Sequence, residues 1–372
     1  MKTIDIYELS DCESIETPAL VYYRDILIEN IQHAIVIAEG ATRLWAHVKT
    51  HKIREMVKLQ MDMGIQRFKC ATIAEAEMLS SVGALDVLLA YPLIGPNIER
   101  FINLQQEYPD TTLWAIADDF GQLEKLAAMA SATGLSIPVL LDVNYGMNRT
   151  GIPIGPAVAV LYQEALSLRG ITMRGFHCYD GHHNDSDIAK RMERVRQKNQ
   201  EMFAIADTIV YGTEAEKPIF VMGGTPSFPC HAPLKEVYLS PGTAFVYDYG
   251  YQRSLPDLPF VPAAALITRV VSHPSPQMFT LDLGYKGIAA DPAGVRGVIL
   301  GMEDSRPVFQ SEEHWVFTCD DNKTIPPIGS ILYVIPTHIC PTTALYNAVL
   351  VAEGGKIIDH WDVAARNRHL VF

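Results

Sequence analysis

Arg43-Leu44-Trp45-Ala46-His47-Val48-Lys49-Thr50-His51-Lys52 opens as a short β-rich run and ends on basic residues, where a strand should hand over to a helix. From Ile53 to Met63 the apolar residues then recur at three- and four-residue spacing, the period of one helix face. The same unit repeats outward along the chain. Further β-rich runs lie at 67–71, 86–91, 112–117, 138–143, 171–178, 218–222 and 235–239. Helix-like segments separate most of them, among them Ile73 to Val82 and Phe120 to Ala132. Eight strands with helical crossovers over about 200 residues predict an α/β chain whose strands close into a (β/α)8 barrel. A doubly wound sheet is the competitor, and the count of eight favours closure. The last crossover, between 222 and 235, reads as short and irregular.

Past about residue 240 helix periodicity fades and Pro and Gly punctuation thickens. Runs at Ala263 to Ser272, Met278 to Leu283, His314 to Thr318 and Ser330 to Ile335 read as strands between turns. The expected organisation is a barrel over 17–240 and a mostly β second domain over 241–372, with residues 1–23 joining the second. Ala19-Leu20-Val21-Tyr22-Tyr23 would be a ninth barrel strand, but it fits the β domain better. The helix-like run 25–39 then carries the chain into the barrel.

Composition bounds the partners. The chain has 372 residues, 48% of them hydrophobic, which is enough for a large core and two domains. A formal charge of −13 argues against nucleic acid or an anionic membrane surface as partner. No apolar run approaches the roughly 20 residues of a membrane span, and the N-terminus shows no secretory h-region. Six cysteines without a C-x-x-C pair point to a reducing cytoplasm.

Barrel enzymes assemble their sites where the strands end and the βα loops begin. Lys49 follows the first strand and Asn144-Tyr145-Gly146-Met147-Asn148-Arg149 the fifth. His177, Tyr179 and Gly181-His182-His183 belong to the sixth, Met222-Gly223-Gly224-Thr225-Pro226 to the seventh, and Ser240-Pro241-Gly242-Thr243 to the eighth. Lys49 offers an amine that can condense with an aldehyde; a basic surface turn is the plain alternative. Gly224 and Thr225 present bare backbone N–H groups and a hydroxyl that suit a phosphate. Gly242 and Thr243 form a second loop of that kind, and barrels often bind phosphate between their last two strands. Either loop could also be an ordinary turn. Arg149 reads as a buried guanidinium facing the lysine across an anionic oxygen, or as a structural ion-pair partner. Tyr179 reads as a packed aromatic or a cofactor contact.

A second constellation is Pro336-Thr337-His338-Ile339-Cys340-Pro341-Thr342, after the strand run to Ile335. In an extended segment residues i and i+2 share a side, so His338 and Cys340 could share a metal. Imidazole with thiolate suits zinc, and two protein ligands leave positions open. The alternative is a core cysteine beside a capping histidine.

His47-Val48-Lys49-Thr50-His51-Lys52, the Gly-Gly-Thr-Pro loop, Pro241-Gly242-Thr243 and His338-x-Cys340 together resemble the D-threonine aldolase and D-serine dehydratase family. These are fold-type III pyridoxal-phosphate enzymes, related to alanine racemase in their N-terminal barrel. The resemblance runs from about 17 to 369 in the same motif order. It implies that Lys49 holds pyridoxal phosphate through its amine and is the catalytic residue, with Lys52, further into the helix, the lesser candidate. It also implies that Gly224, Thr225, Gly242 and Thr243 hold the phosphate, with Arg149 and Tyr179 near the ring. His338 and Cys340 would bind a divalent metal, zinc with manganese as alternative. Aldolases of the family commonly carry His-x-Asp, whereas zinc-dependent dehydratases carry His-x-Cys, as here. Tyr179-Asp180-Gly181-His182-His183-Asn184 matches neither branch residue by residue.

The implied activity is a lyase acting on a D-β-hydroxy amino acid, with dehydration to a keto acid and ammonia ahead of aldol cleavage to glycine and an aldehyde. An amino-acid racemase and a non-catalytic pyridoxal-phosphate carrier are the competing classes. Family analogy implies a cytoplasmic homodimer.

Overall fold

The structure, a computed structural model, describes residues 3–210, 217–320 and 324–372. Two compact units divide it. One comprises residues 1–33, 50–53 and 243–366, and the other residues 34–49, 54–242 and 367–372. The N-terminal segment to His33 and a short insert at Thr50–Ile53 group with the β-rich unit, and the last six residues group with the barrel.

The second unit is the barrel. Among the described residues its eight principal strands are Trp45–His47, Arg67–Cys70, Asp86–Leu89, Thr112–Ala117, Ile137–Asn144, Ile171–Cys178, Ile219–Met222 and Tyr238–Leu239. They lie side by side in sequence order, each parallel to the next. Leu44 bridges Leu239 in parallel, the His47 amide donates to Pro241 O at 2.9 Å, and Ser240 Oγ donates to Trp45 O at 3.0 Å. These contacts bring the last strand to the first and nearly close the barrel. The predicted fold is thereby borne out.

Inside, Trp45, Leu88, Ile116, Leu140 and Val221 form one packed cluster drawn from five strands. Each such burial stabilises the fold by about 1.5–3 kcal/mol. Trp114 meets Trp45 edge-on at 5.3 Å between ring centroids and donates its indole N–H to Asp86 Oδ1 at 2.8 Å. Gly175 marks a register shift between the fifth and sixth strands. A Cβ there would lie 1.9 Å from Ile219 O, so only glycine lets the seventh strand approach so closely.

The helices begin where local chemistry supplies caps. Thr72 accepts from the Glu75 amide at the start of Ile73–Ser81, while Glu75 Oε2 accepts from the Ala71 amide, a reciprocal capping arrangement. Asp119 caps Phe120–Ala132 through the Gln122 amide. Pro96 and Pro156 stand at the first turns of Pro96–Glu107 and Pro156–Ala165, where a missing N–H costs nothing. After the seventh strand only the four-residue helix Phe228–His231 intervenes, the irregular crossover expected there.

The first unit is mostly β. Its strand order is Arg306–Gln310, Trp315–Thr318, Met278–Leu281, Ala264–Ser275, Ala19–Tyr23, Ala348–Glu353 and Lys356–Asp362, with Ile331–Pro336 joining Ala264–Ser275 to Gly297–Ile299. Ala19–Tyr23 pairs antiparallel with Ala264–Ile267 and parallel with Leu350–Ala352, within the sheet of the β-rich unit.

Candidate active site

Every barrel residue singled out in the sequence sits at or just past the C-terminal end of its strand. Lys49 lies in the 3-10 turn Val48–Thr50 that follows Trp45–His47. Its Nζ is 5.8 Å from the centroid of the Tyr179 ring, beyond the sixth strand. The Arg149 guanidinium carbon is 4.8 Å from the same centroid. Arg149 is exposed and not the buried guanidinium expected, because the 146–150 turn carries it out from the strand end. Lys52 also departs from expectation. It is not helical; it has φ of 59° ahead of the helix Arg54–Asp62 and belongs to the other unit.

The glycine loop closes against the same tyrosine. A Cβ on Gly224 would lie 2.9 Å from Tyr179 Cε2, and one on Gly181 would lie 2.2 Å from its hydroxyl. Any side chain at either position would push the ring away. Thr225 is buried, and its Oγ1 accepts from the Gly242 amide at 3.3 Å, which ties the two expected phosphate loops together. Gly242 in turn packs on His47, whose Cβ would be 3.1 Å from an added methyl. His47 Nδ1 is 3.0 Å from Lys69 O. The Lys49 amide also approaches that nitrogen at 3.4 Å, so His47 lies between the two strand ends. Thr243 falls in the β-rich unit, where its hydroxyl lies 3.3 Å from Cys340 Sγ.

A network absent from the sequence reading holds the loop. Asp180 is fully buried; one carboxylate oxygen accepts from Ser227 Oγ and the other lies 2.9 Å from His231 Nε2. Ser227 Oγ accepts from the Gly224 amide at 3.0 Å, and His231 Nδ1 is 3.1 Å from Asn199 Nδ2. Burial alone would raise the Asp180 carboxyl, but His231 and Ser227 outweigh it and hold it below the ordinary carboxylate value.

Two further groups carry no role in the sequence reading. His177 Nδ1 lies 2.7 Å from Asp142 Oδ1, and His177 Nε2 is buried without a hydrogen-bond partner. Burial depresses the His177 imidazole against the pull of Asp142. Lys69, on the second strand, is buried with its Nζ 5.4 Å from the Tyr179 centroid. Burial first, then the charges of Lys49 and Arg149, push its amine down to about 7. The signal was present: a lone lysine within Arg67-Phe68-Lys69-Cys70, a run otherwise bound for the interior.

In the β-rich unit the strand ends at Pro336. His338 is the N-cap of the short helix Ile339–Thr343, and Cys340 lies inside it, so the pair is not the extended i, i+2 arrangement expected. The side chains still meet. Burial opposes charge on the His338 imidazole, but hydrogen bonding to Cys340 and Asp291 raises it to about 9. His338 Nδ1 is 2.8 Å from Asp291 Oδ2. Cys340 Sγ is 3.2 Å from Thr50 Oγ1. Asp248 accepts from the Ile339 amide at 3.1 Å and fixes the start of that helix. Among the described residues no cluster of three or more His, Cys, Asp or Glu side chains could hold a metal. The pair therefore offers one nitrogen and one sulfur, a donor set that suits a zinc-like ion with open positions.

Comparisons with known proteins agree with this geometry. Residues 24–249 match the family model of the alanine racemase N-terminal domain, and residues 263–352 match one described as a putative serine dehydratase domain. The D-threonine aldolase of an Arthrobacter species is 24% identical over 86% of this chain and 84% of its own length. The 3-hydroxy-D-aspartate aldolase of Paracoccus denitrificans is 26% identical over 96% and 94%. The crystal structure of D-threonine aldolase from Filomicrobium marinum superposes with a TM-score of 0.86 at 25% identity, covering 95% of this chain and 96% of that one. The resemblance read from the motifs is borne out.

Proposed function

The chain belongs to the family of the alanine racemase N-terminal domain, and on that premise we propose that it is a pyridoxal-phosphate-dependent, metal-assisted lyase of D-β-hydroxy amino acids. The observation that carries this reading is the meeting of Lys49 and Arg149 at the Tyr179 ring, with the Gly223–Thr225 loop pressed against the same ring. A cationic rim beside bare backbone amides fits an anionic, phosphorylated aromatic ligand. When bound, pyridoxal phosphate supplies an electron-withdrawing ring conjugated to the substrate Cα.

The chain's own groups divide the work. Lys49 would hold the cofactor through its amine and would serve as the base for the Cα proton. Gly224, Thr225 and Gly242 would hold the phosphate, and Arg149 and Tyr179 would lie beside the ring. His338 and Cys340 would hold a divalent metal, zinc by donor softness with manganese the alternative, which would supply Lewis-acid polarisation of the β-hydroxyl. Asp291 accepts the His338 Nδ1 proton and leaves Nε2 as the ligating nitrogen.

We take the product to be a keto acid and ammonia, since His-x-Cys accompanies the match to a serine dehydratase domain. Aldol cleavage is the second reading, favoured by the names of both aldolase relatives. The working unit is proposed to be a homodimer acting on a small amino acid in the cytoplasm. None of the six cysteines is disulfide-bonded, which accords with a reducing compartment, and among the described residues no helix is long and apolar enough to cross a membrane.

The direct test is spectroscopic. Lys49→Ala should lose the visible absorbance of lysine-bound pyridoxal phosphate, and Lys52→Ala should keep it. The reverse result would overturn the assignment.

A further inference from the structure

Lys69 is 1% exposed, yet it stands in an apolar strand with an ammonium to satisfy. A buried cation is costly unless an anion or a set of acceptors meets it. Among the described residues Lys69 Nζ has no hydrogen-bond acceptor and no ion-pair partner; its one specific contact is the Tyr179 ring at 5.4 Å. The neighbouring carboxylates are engaged elsewhere. Asp142 is bonded to His177, and Asp180 to Ser227 and His231. Lys49 and Arg149 attend the same ring at 5.8 and 4.8 Å, so three basic side chains gather there without an acid to pair Lys69. Burial, and then this crowding, depress the amine to about 7, and a bound anion would relieve both.

We propose that Lys69 is an oxyanion-binding residue, whose ammonium holds an anionic oxygen of the phosphorylated cofactor or of the substrate carboxylate. This assignment rests on reading the barrel as a pyridoxal-phosphate site. It gives a reason for a lysine inside a strand that packing alone would fill with an apolar residue. It also makes a distinctive demand on stability. A lysine placed for a ligand weakens the unliganded fold, whereas a structural lysine supports it.

The test uses Lys69→Met, which keeps the length and removes the charge, and Lys69→Arg, which keeps the charge. Apoprotein is titrated with pyridoxal phosphate by absorbance, and the loaded protein is titrated with D-alanine by its spectral change. Loss of a charge-assisted bond predicts that Lys69→Met weakens one of the two by about tenfold or more, that Lys69→Arg recovers part of it, and that the apoprotein melts no lower than wild type. Weakened cofactor binding places the oxyanion on the cofactor, and weakened D-alanine binding alone places it on the carboxylate. If both affinities are unchanged while wild type binds cofactor, the assignment is wrong, and a lowered apoprotein Tm with unchanged affinities marks a structural lysine. A wild-type chain that takes up no pyridoxal phosphate overturns the cofactor reading and this assignment together. Should Lys69→Met fail to fold, Lys69→Gln carries the same titrations.

Discussion

Cys340 and His338 offer one sulfur and one nitrogen, and what surrounds them decides how they act. Thr50 and Thr243 place hydroxyl oxygens 3.2 and 3.3 Å from the sulfur, near enough to hydrogen-bond a thiolate and stabilise it for metal binding. Asp291 Oδ2, 2.8 Å from Nδ1, orients the imidazole ring. We expect Cys340→Ala, or treatment with a chelator, to abolish turnover while the cofactor absorbance persists. Full activity after metal loss has been verified by elemental analysis would sink the metal role. Asp291→Asn should weaken metal affinity by about 10–100-fold, measured by competition with a chelating dye. The pair was legible in the sequence because both ligands fall within three residues. Asp291 was not, since it lies 47 positions away and only the fold brings it near. Lys69 was visible as an anomaly, but its neighbours come from the first, fifth and sixth strands.

At the scale of elements, the loop after the seventh strand owes its shape to groups beneath it. Asp180 ties Ser227 and His231, and Ser227 turns the Gly224 amide inward. Asp180→Asn leaves a buried histidine and hydroxyl short of their acceptor. Breaking such a pair costs about 3–5 kcal/mol, and cofactor affinity should fall with it. The pH dependence has a definite sign. The folded carboxyl lies below its unfolded value, so its stabilising contribution is full above about pH 4 and is lost as pH falls through the lowered folded value. Thermal melts should therefore show Asp180→Asn well below wild type at pH 7, with the gap narrowing on acidification. A gap that stays constant to strongly acid pH would remove the carboxylate from this role. The barrel strands were legible because each is an apolar run between turn signals. Strands Arg306–Gln310 and Lys356–Asp362 were not read, since both lie largely exposed and present no apolar alternation. The His338–Cys340 segment was read as extended for a similar reason: its five-residue helix is too short to show a period.

Across the whole molecule, each compact unit brings one kind of chemistry. The barrel unit supplies an amine, an arginine and glycine amides suited to a phosphorylated ring. The β-rich unit supplies a metal-type pair. A racemase needs only the first of these together with a second base, so the His338–Cys340 pair speaks for a reaction at the β-hydroxyl. In dehydration Lys49 would be the base that takes the Cα proton, whereas aldol cleavage would need a base for the hydroxyl proton. The two routes leave different products from the same substrate. Incubated with D-serine, D-threonine and D-3-hydroxyaspartate, the loaded protein should release ammonia and a keto acid in equal amounts, detected by coupled dehydrogenases, with no glycine formed. Glycine and an aldehyde in equal amounts would assign aldol cleavage and leave the cofactor and metal roles intact. Interconversion of D- and L-serine without either product would instead make the chain a racemase and deprive the metal pair of its catalytic role.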